Sequence, residues 1–180
     1  MEIYLVRHTE TVCEKGICYG QSDVALAEPF ELIFKNILSQ LPQEAILFSS
    51  PLQRCVILAK HIQNEIKTIS YQEDKRLMEM NFGDWEMKGW NDILPEQLNP
   101  WMEDFVNVHA TNGESFIELH DRTGAFLSEQ ISKKAEQPII VVTHAGVIRS
   151  LLCHHTSLPL KDAFQNKVDF GQVVKINLQL

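Results

Sequence analysis

Three short runs of apolar, mostly branched residues stand out along the chain: Ile3 to Val6, Ala45 to Phe48 and Ile139 to Val142. Runs of this length without alternation predict strands buried on both faces, as in a parallel sheet covered by helices. Thr68 to Tyr71 alternates, which predicts an outer strand, and Val173 to Leu178 reads as a closing strand at an edge. Between the strands the period changes. Phe30, Ile33, Phe34, Ile37, Leu38 and Leu41 recur at helical spacing until Pro42. A second helix is predicted from Pro51 to Ile66, with Ser50 as its cap and Pro51 in its first position. A third spans Ser115 to Ile131, and a fourth starts at Gly146 and runs to Cys153. Strands alternating with helices predict a three-layer α/β/α sandwich around a mostly parallel central sheet. No linker-like stretch divides residues 1–180, so one domain is expected.

Composition narrows the function without naming it. With 44% hydrophobic and 22% charged residues over 180 positions, the chain is long enough to bury a core without staples. Sixteen Lys and Arg stand against 24 Asp and Glu, a formal charge of −8, which argues against nonspecific binding to nucleic acid or an anionic membrane. An anionic ligand must therefore meet local positive charge. Cys13, Cys18, Cys55 and Cys153 form no C-x-x-C pair and no zinc spacing, so reduced thiols are expected. The N-terminus reaches Arg7 after four apolar residues, too few for a signal peptide or a membrane span, and a cytoplasmic protein is expected. The neighbours His154 and His155 point in different directions on a helix, so no metal and no other cofactor is expected.

The chemistry sits where the strands end. The first apolar run leads into Arg7-His8-Thr9 and the last into Thr143-His144-Ala145, while the second ends in Ser49-Ser50-Pro51 with Arg54 just beyond. In an open α/β sheet, ligands bind at the carboxyl ends of strands, so two imidazoles and two guanidiniums are expected to share one edge. Taken singly, each histidine also reads as a hydrogen-bonded loop or core residue and each arginine as a surface ion pair. Taken together they suit phosphoryl transfer: a neutral imidazole as nucleophile, and arginines that grip the equatorial oxygens and oppose its protonation.

These residues resemble the histidine phosphatase superfamily, also called phosphoglycerate-mutase-like. Its first motif is matched by Leu5-Val6-Arg7-His8-Thr9, its second block by Ser49-Ser50-Pro51-Leu52-Gln53-Arg54, and its last by Thr143-His144-Ala145-Gly146-Val147-Ile148-Arg149. Its acid block is matched by Glu79 followed by Phe82-Gly83-Asp84-Trp85-Glu86. The resemblance implies the phosphoglycerate-mutase-like fold, with His8 as the phosphorylated nucleophile. Arg7, Arg54 and His144, with Ala145 beside it, would hold the phosphoryl oxygens, and Glu79 would be the proton donor, with Glu86 its nearest rival. Asn112-Gly113-Glu114-Ser115 resembles the family's Gly-Gly-Glu-Ser block, with Asn112 in place of the first glycine. Glu14 stands where many members carry Asn, and its charge predicts that the loop turns it away from phosphate or follows another path.

Specificity in this family is read from the loops. Cys18-Tyr19-Gly20-Gln21-Ser22-Asp23-Val24 is similar to the corresponding loop of the bacterial α-ribazole phosphatase branch, which implies stacking by Tyr19 and hydrogen bonding by Gln21 to a sugar or phosphate. A lid-like insertion is expected at about 85–112, with Trp90, Trp101 and Phe105 either walling the ligand or forming the lid's own packing face. Asn91 to Thr111 contains no Lys or Arg, which favours a small substrate with one phosphate and an uncharged body, and hydrolysis over mutase chemistry. The resemblance thus implies a phosphomonoesterase acting on α-ribazole 5′-phosphate. The alternatives are a broad sugar or nucleotide phosphatase, a mutase-like enzyme, and an inactive interaction module.

Overall fold

A computed structural model describes residues 1–133 and 136–178. In chain order the elements are β1 (Glu2–Arg7), β2 (Ile17–Cys18), α1 (Glu31–Leu38), β3 (Glu44–Ser49), α2 (Gln53–Glu65), β4 (Lys67–Glu73), β5 (Lys88–Gly89), α3 (Pro95–Glu103), α4 (Phe116–Lys133), β6 (Ile139–Thr143), α5 (Ala145–Thr156) and β7 (Val173–Asn177). The main sheet has the order β4-β3-β6-β1-β7, with the first four strands parallel and β7 antiparallel to β1. The three apolar runs are its three interior strands, and the alternating segment and the closing strand are its two edges. β2 and β5 form a separate two-stranded ribbon.

Alternation along each interior strand splits the core in two. Ile3 and Leu5 of β1, Phe48 of β3, and Ile139 and Val141 of β6 face α4 and α5, where Leu119, Phe126, Ile148 and Leu151 are buried. Val6, Leu47, Ile140 and Val142 face the opposite way, onto Phe34 and Ile37 of α1 and Cys55, Leu58 and Ile62 of α2. Each large apolar side chain so removed from water contributes about 1.5–3 kcal/mol. The sheet is thus the middle of three layers, as the pattern predicted. No helix among the described residues is long and apolar enough to cross a membrane.

α4 (Phe116–Lys133) and α5 (Ala145–Thr156) run slightly beyond their expected ends, and the bounds of α1 and α2 differ for reasons visible in their hydrogen bonds. α1 ends at Leu38, because Gln40 and Leu41 turn back in tighter three-residue hydrogen bonds to Ile37 and Leu38. α2 begins at Gln53 with Leu52 in the capping position, so Ser50 is not its cap and Pro51 is not its first residue. The Ser50 hydroxyl is occupied elsewhere: it accepts the Leu52 N–H at 3.3 Å and lies 2.8 Å from Nε2 of His144.

From Gly83 to Gly113 the chain leaves the sandwich and returns. The neck is closed by the Asp84 N–H on the Thr111 carbonyl at 2.9 Å. Gly83 has a left-handed φ of 53°, and a Cβ there would collide with that same Thr111 oxygen, so the approach requires glycine. Asn112 takes a left-handed φ of 57° and donates its amide to Asp84 at 2.8 Å, which lets it serve where the family block has glycine. Ser115 precedes α4, and its N–H and hydroxyl both donate to the Glu118 carboxylate, the carboxylate half of a capping box.

Candidate active site

Register sets the site. Arg7 pairs with Thr143 across β1 and β6, and Ser49 of β3 pairs with Val142, so all three strands end together. His8 and His144 follow directly, their ring centroids 5.2 Å apart although 136 positions separate them in sequence. The His8 N–H bonds the Thr143 carbonyl at 3.1 Å and the Ser50 N–H bonds that of Val142 at 2.9 Å, extending the ladder beyond the strand ends.

Nδ1 of His8 lies 2.7 Å from the Thr9 carbonyl oxygen, which can only accept, so Nδ1 carries the proton and Nε2 keeps its lone pair. The ring is 2% exposed. Burial, then Arg54 and Arg7, push its pKa down to about 3, while the Thr9 bond opposes them more weakly than burial or Arg54 acts. Desolvation therefore outweighs the arginine repulsion anticipated from sequence. His144 is wholly buried, and burial, His8 and Arg54 likewise hold it well below the usual imidazole range. Both rings are neutral at pH 7.

The cations beside them lack counter-ions. Arg54, on the first turn of α2, is wholly buried, with its terminal nitrogens bonded to the carbonyls of Ser22, at 2.7 Å, and Gly20. Arg7 donates to the Val168 carbonyl at 2.7 Å and stacks over Phe170, its guanidinium carbon 3.7 Å from the ring centroid. Burial weighs against the charge on Arg7, and Glu79 and Tyr19 support it. Among the described residues neither arginine takes part in an ion pair. Moreover, Nε of Arg7, Nε of Arg54 and the Thr9 hydroxyl are buried without a hydrogen-bond partner among the described residues. Two desolvated positive charges and three idle donors around a neutral imidazole form a receptor for a multiply charged oxyanion.

Glu79 follows the turn Lys75–Leu77, which the Asp74 carboxylate caps by accepting the Arg76 N–H. Its carboxylate accepts the N–H of Met80 at 3.0 Å and that of Gly146, on the first turn of α5, at 3.2 Å. The Cβ of any other residue at 146 would collide with that carboxylate. Glu86, the rival acid, is used differently: it accepts the N–H groups of Gln21, Ser22 and Phe82 and the Ser22 hydroxyl, which ties the 19–22 loop to the insertion. Gln21 donates its amide to the Glu79 carbonyl at 2.9 Å, so it braces the acid segment. The Tyr19 ring centroid is 5.2 Å from the Arg54 guanidinium carbon, and Tyr19 lines a cavity of about 430 Å³ with Glu10, exposed Glu14 and Phe170. Ala145 supplies the first residue of α5 and is nearly buried.

Arg122 and Glu114 were not legible as site residues. Arg122 donates to the carbonyls of Arg76 and Met78, both at 2.7 Å, and of Glu79 at 3.0 Å, and pairs with Glu114, which also accepts the Asn81 N–H. A capping-type Gly-Glu-Ser and a mid-helix arginine carry no local signal of this contact. In the insertion, Trp85 is buried, Trp90 and Trp101 stack at 5.6 Å, and Phe82 and Phe105 complete the cluster. The tryptophans are packing face and wall at once: Phe82, Trp90, Leu98, Trp101, Phe105 and Phe164 line an open cavity of about 500 Å³. His154 stacks on His120 at 3.5 Å, away from this edge, and the described residues hold no cluster of three His, Cys, Asp or Glu suited to a metal.

Residues 3–179 match the model of the histidine phosphatase superfamily, branch 1. The chain belongs to that superfamily. Among histidine phosphatase relatives, it is 27% identical to the adenosylcobalamin/alpha-ribazole phosphatase of Escherichia coli (strain K12), over 95% of this chain and 87% of that one. It is 28% identical to phosphoserine phosphatase 1 of Hydrogenobacter thermophilus, over 85% and 75%. The structure superposes on the alpha-ribazole phosphatase from Shigella flexneri with a TM-score of 0.89 and 25% identity, covering 99% of this chain and 91% of that one.

Proposed function

We propose that this histidine phosphatase is a phosphomonoesterase that works through a phosphohistidine on His8 and removes the 5′-phosphate of α-ribazole phosphate. The observation that carries the chemistry is the neutral His8, with Nε2 free, beside the buried Arg54 and half-buried Arg7 guanidiniums, neither of which has a counter-ion among the described residues. Nε2 attacks phosphorus as the bond to the ester oxygen breaks, and Glu79 gives that oxygen its proton. Arg7, Arg54 and an N–H of His144 hold the equatorial oxygens as charge builds on them. Water then adds to phosphorus, its proton passes to Glu79, and the P–N bond breaks to return His8 and inorganic phosphate.

The 500 Å³ aromatic cavity, which shares Trp101, Phe105 and Phe164 with a smaller cavity lined by Glu79, supports a leaving group with a flat apolar part, and the alpha-ribazole phosphatase relatives point the same way. A phosphoserine phosphatase of equal similarity supports a second reading, in which the leaving group is a hydroxy amino acid. Steady-state hydrolysis decides between them, with α-ribazole 5′-phosphate, L-phosphoserine, 3-phosphoglycerate, a nucleoside monophosphate and an aryl phosphate compared in EDTA. The expected result is a preference of at least about tenfold in kcat/KM for α-ribazole 5′-phosphate, abolished in His8→Ala. Preference for phosphoserine moves the substrate to the second reading. Turnover that survives His8→Ala, or that EDTA removes and a divalent metal restores, overturns the phosphohistidine mechanism.

A further inference from the structure

Arg149 enters the site from a direction that the insertion does not reveal. It lies one helical turn beyond Gly146 on α5, so the two share a face, and Gly146 is the residue whose N–H holds the Glu79 carboxylate. A small cavity of about 90 Å³ is lined by Glu79, Gly146, Arg149, Trp101, Phe105 and Phe164, and it shares its last three aromatics with the 500 Å³ cavity. The guanidinium is held rather than loose. Its Nε donates to the Asn166 carbonyl at 3.1 Å, and its central carbon sits 4.8 Å from the Phe164 ring centroid. Phe164 in turn leans on Phe105 at 4.9 Å, which joins this arginine to the insertion. Arg149 makes no ion pair, and its two terminal amino groups bond no group among the described residues. A third guanidinium is therefore fixed next to the proton donor with its fork unused.

We infer that Arg149 recognises the leaving group through acceptor oxygens within a few bonds of the ester oxygen, the hydroxyl or ring oxygens of a sugar or the carboxylate of a hydroxy acid. This rests on the phosphatase reading above. The layout orders the substrate along one line, with the phosphoryl group at His8, the ester oxygen at Glu79, the acceptor oxygens at Arg149 and any apolar body among the tryptophans. Asn91 to Thr111 contains no Lys or Arg, so α5 supplies the charged donor that this stretch lacks. A planar fork with one nitrogen anchored selects paired acceptors better than a lysine point charge does.

The test compares kcat/KM for α-ribazole 5′-phosphate and 3-phosphoglycerate with that for phenyl phosphate, whose leaving group has no such oxygen. In Arg149→Met the ratio to phenyl phosphate is expected to fall about tenfold to a hundredfold, with part of it returned in Arg149→Lys. A fall confined to the ribosyl ester assigns Arg149 to sugar oxygens, and one confined to 3-phosphoglycerate assigns it to carboxylate. Ratios unchanged in both variants overturn the inference. Should the wild type turn over none of the three, the phosphatase reading fails by itself. Calorimetric binding of α-ribazole 5′-phosphate to His8→Ala, with and without Arg149→Met, then decides on Arg149, and equal affinity or absence of binding counts against it.

Discussion

Protonating His8 in the folded protein means creating a cation in a site already holding the buried Arg54 and half-buried Arg7 guanidiniums. In the unfolded chain a histidine takes up its proton near pH 6.5, whereas His8 in the site does so only near pH 3. Between those values the unfolded state binds more protons, so the His8 contribution to stability is complete above pH 6.5 and drains away as pH falls toward 3. His144, shifted in the same direction, adds to the effect. An imidazole titration by NMR is expected to find both rings uncharged at pH 5. The melting temperature of His8→Asn should also decline less steeply than that of the wild type between pH 6.5 and 4. A His8 resonance that titrates near pH 6.5 would sink this account of the nucleophile.

At the scale of elements, Glu79, the proposed proton donor, is held by segments far from it in sequence. Glu79 follows a short turn with few constraints of its own. Arg122 of α4 and Gln21 of the loop after β2 meet its carbonyl, and Thr143 of β6 donates its hydroxyl to the Leu77 carbonyl at 2.7 Å. In the proposed mechanism Arg122 is thus a positioning residue, and its loss should matter most where the departing oxygen needs a proton. Arg122→Met is expected to slow hydrolysis of an alkyl phosphate about tenfold or more relative to p-nitrophenyl phosphate, whose leaving group departs without help. An equal loss on both esters would reduce Arg122 to a merely structural support. The helix ends show a similar division of labour. Ser50 was expected to cap α2, yet its hydroxyl turns to His144, and α2 starts on Leu52 without a side-chain cap.

For the molecule as a whole, the sandwich supplies the proposed phosphoryl site and the 83–113 segment supplies an aromatic wall beside it. Trp101 links them, packing with both the main core and the insertion's own cluster around Trp85. Trp101→Ala is expected to lower the melting temperature by several degrees. It should also raise KM for α-ribazole 5′-phosphate about tenfold while leaving that for phenyl phosphate less affected. A lowered melting temperature with unchanged KM would assign Trp101 to packing alone. The layers, the mostly parallel sheet and the meeting of His8, His144, Arg7 and Arg54 at one edge were readable from sequence, because buried strands announce themselves as unbroken apolar runs and their polar ends share one edge. Glu79 was separable from Glu86 only through the family resemblance. The structure separates them physically, since Glu86 is consumed by four donors of the 19–22 and 82–86 segments, whereas Glu79 faces a cavity. Local pattern fixes which residues lie inside and where strands end, since burial and backbone pairing have short periods in sequence. Whether Arg122 braces an acid, Arg149 faces a leaving group or Ser50 meets His144 is decided by contacts between distant segments, which carry no periodicity and arise only when the chain is folded.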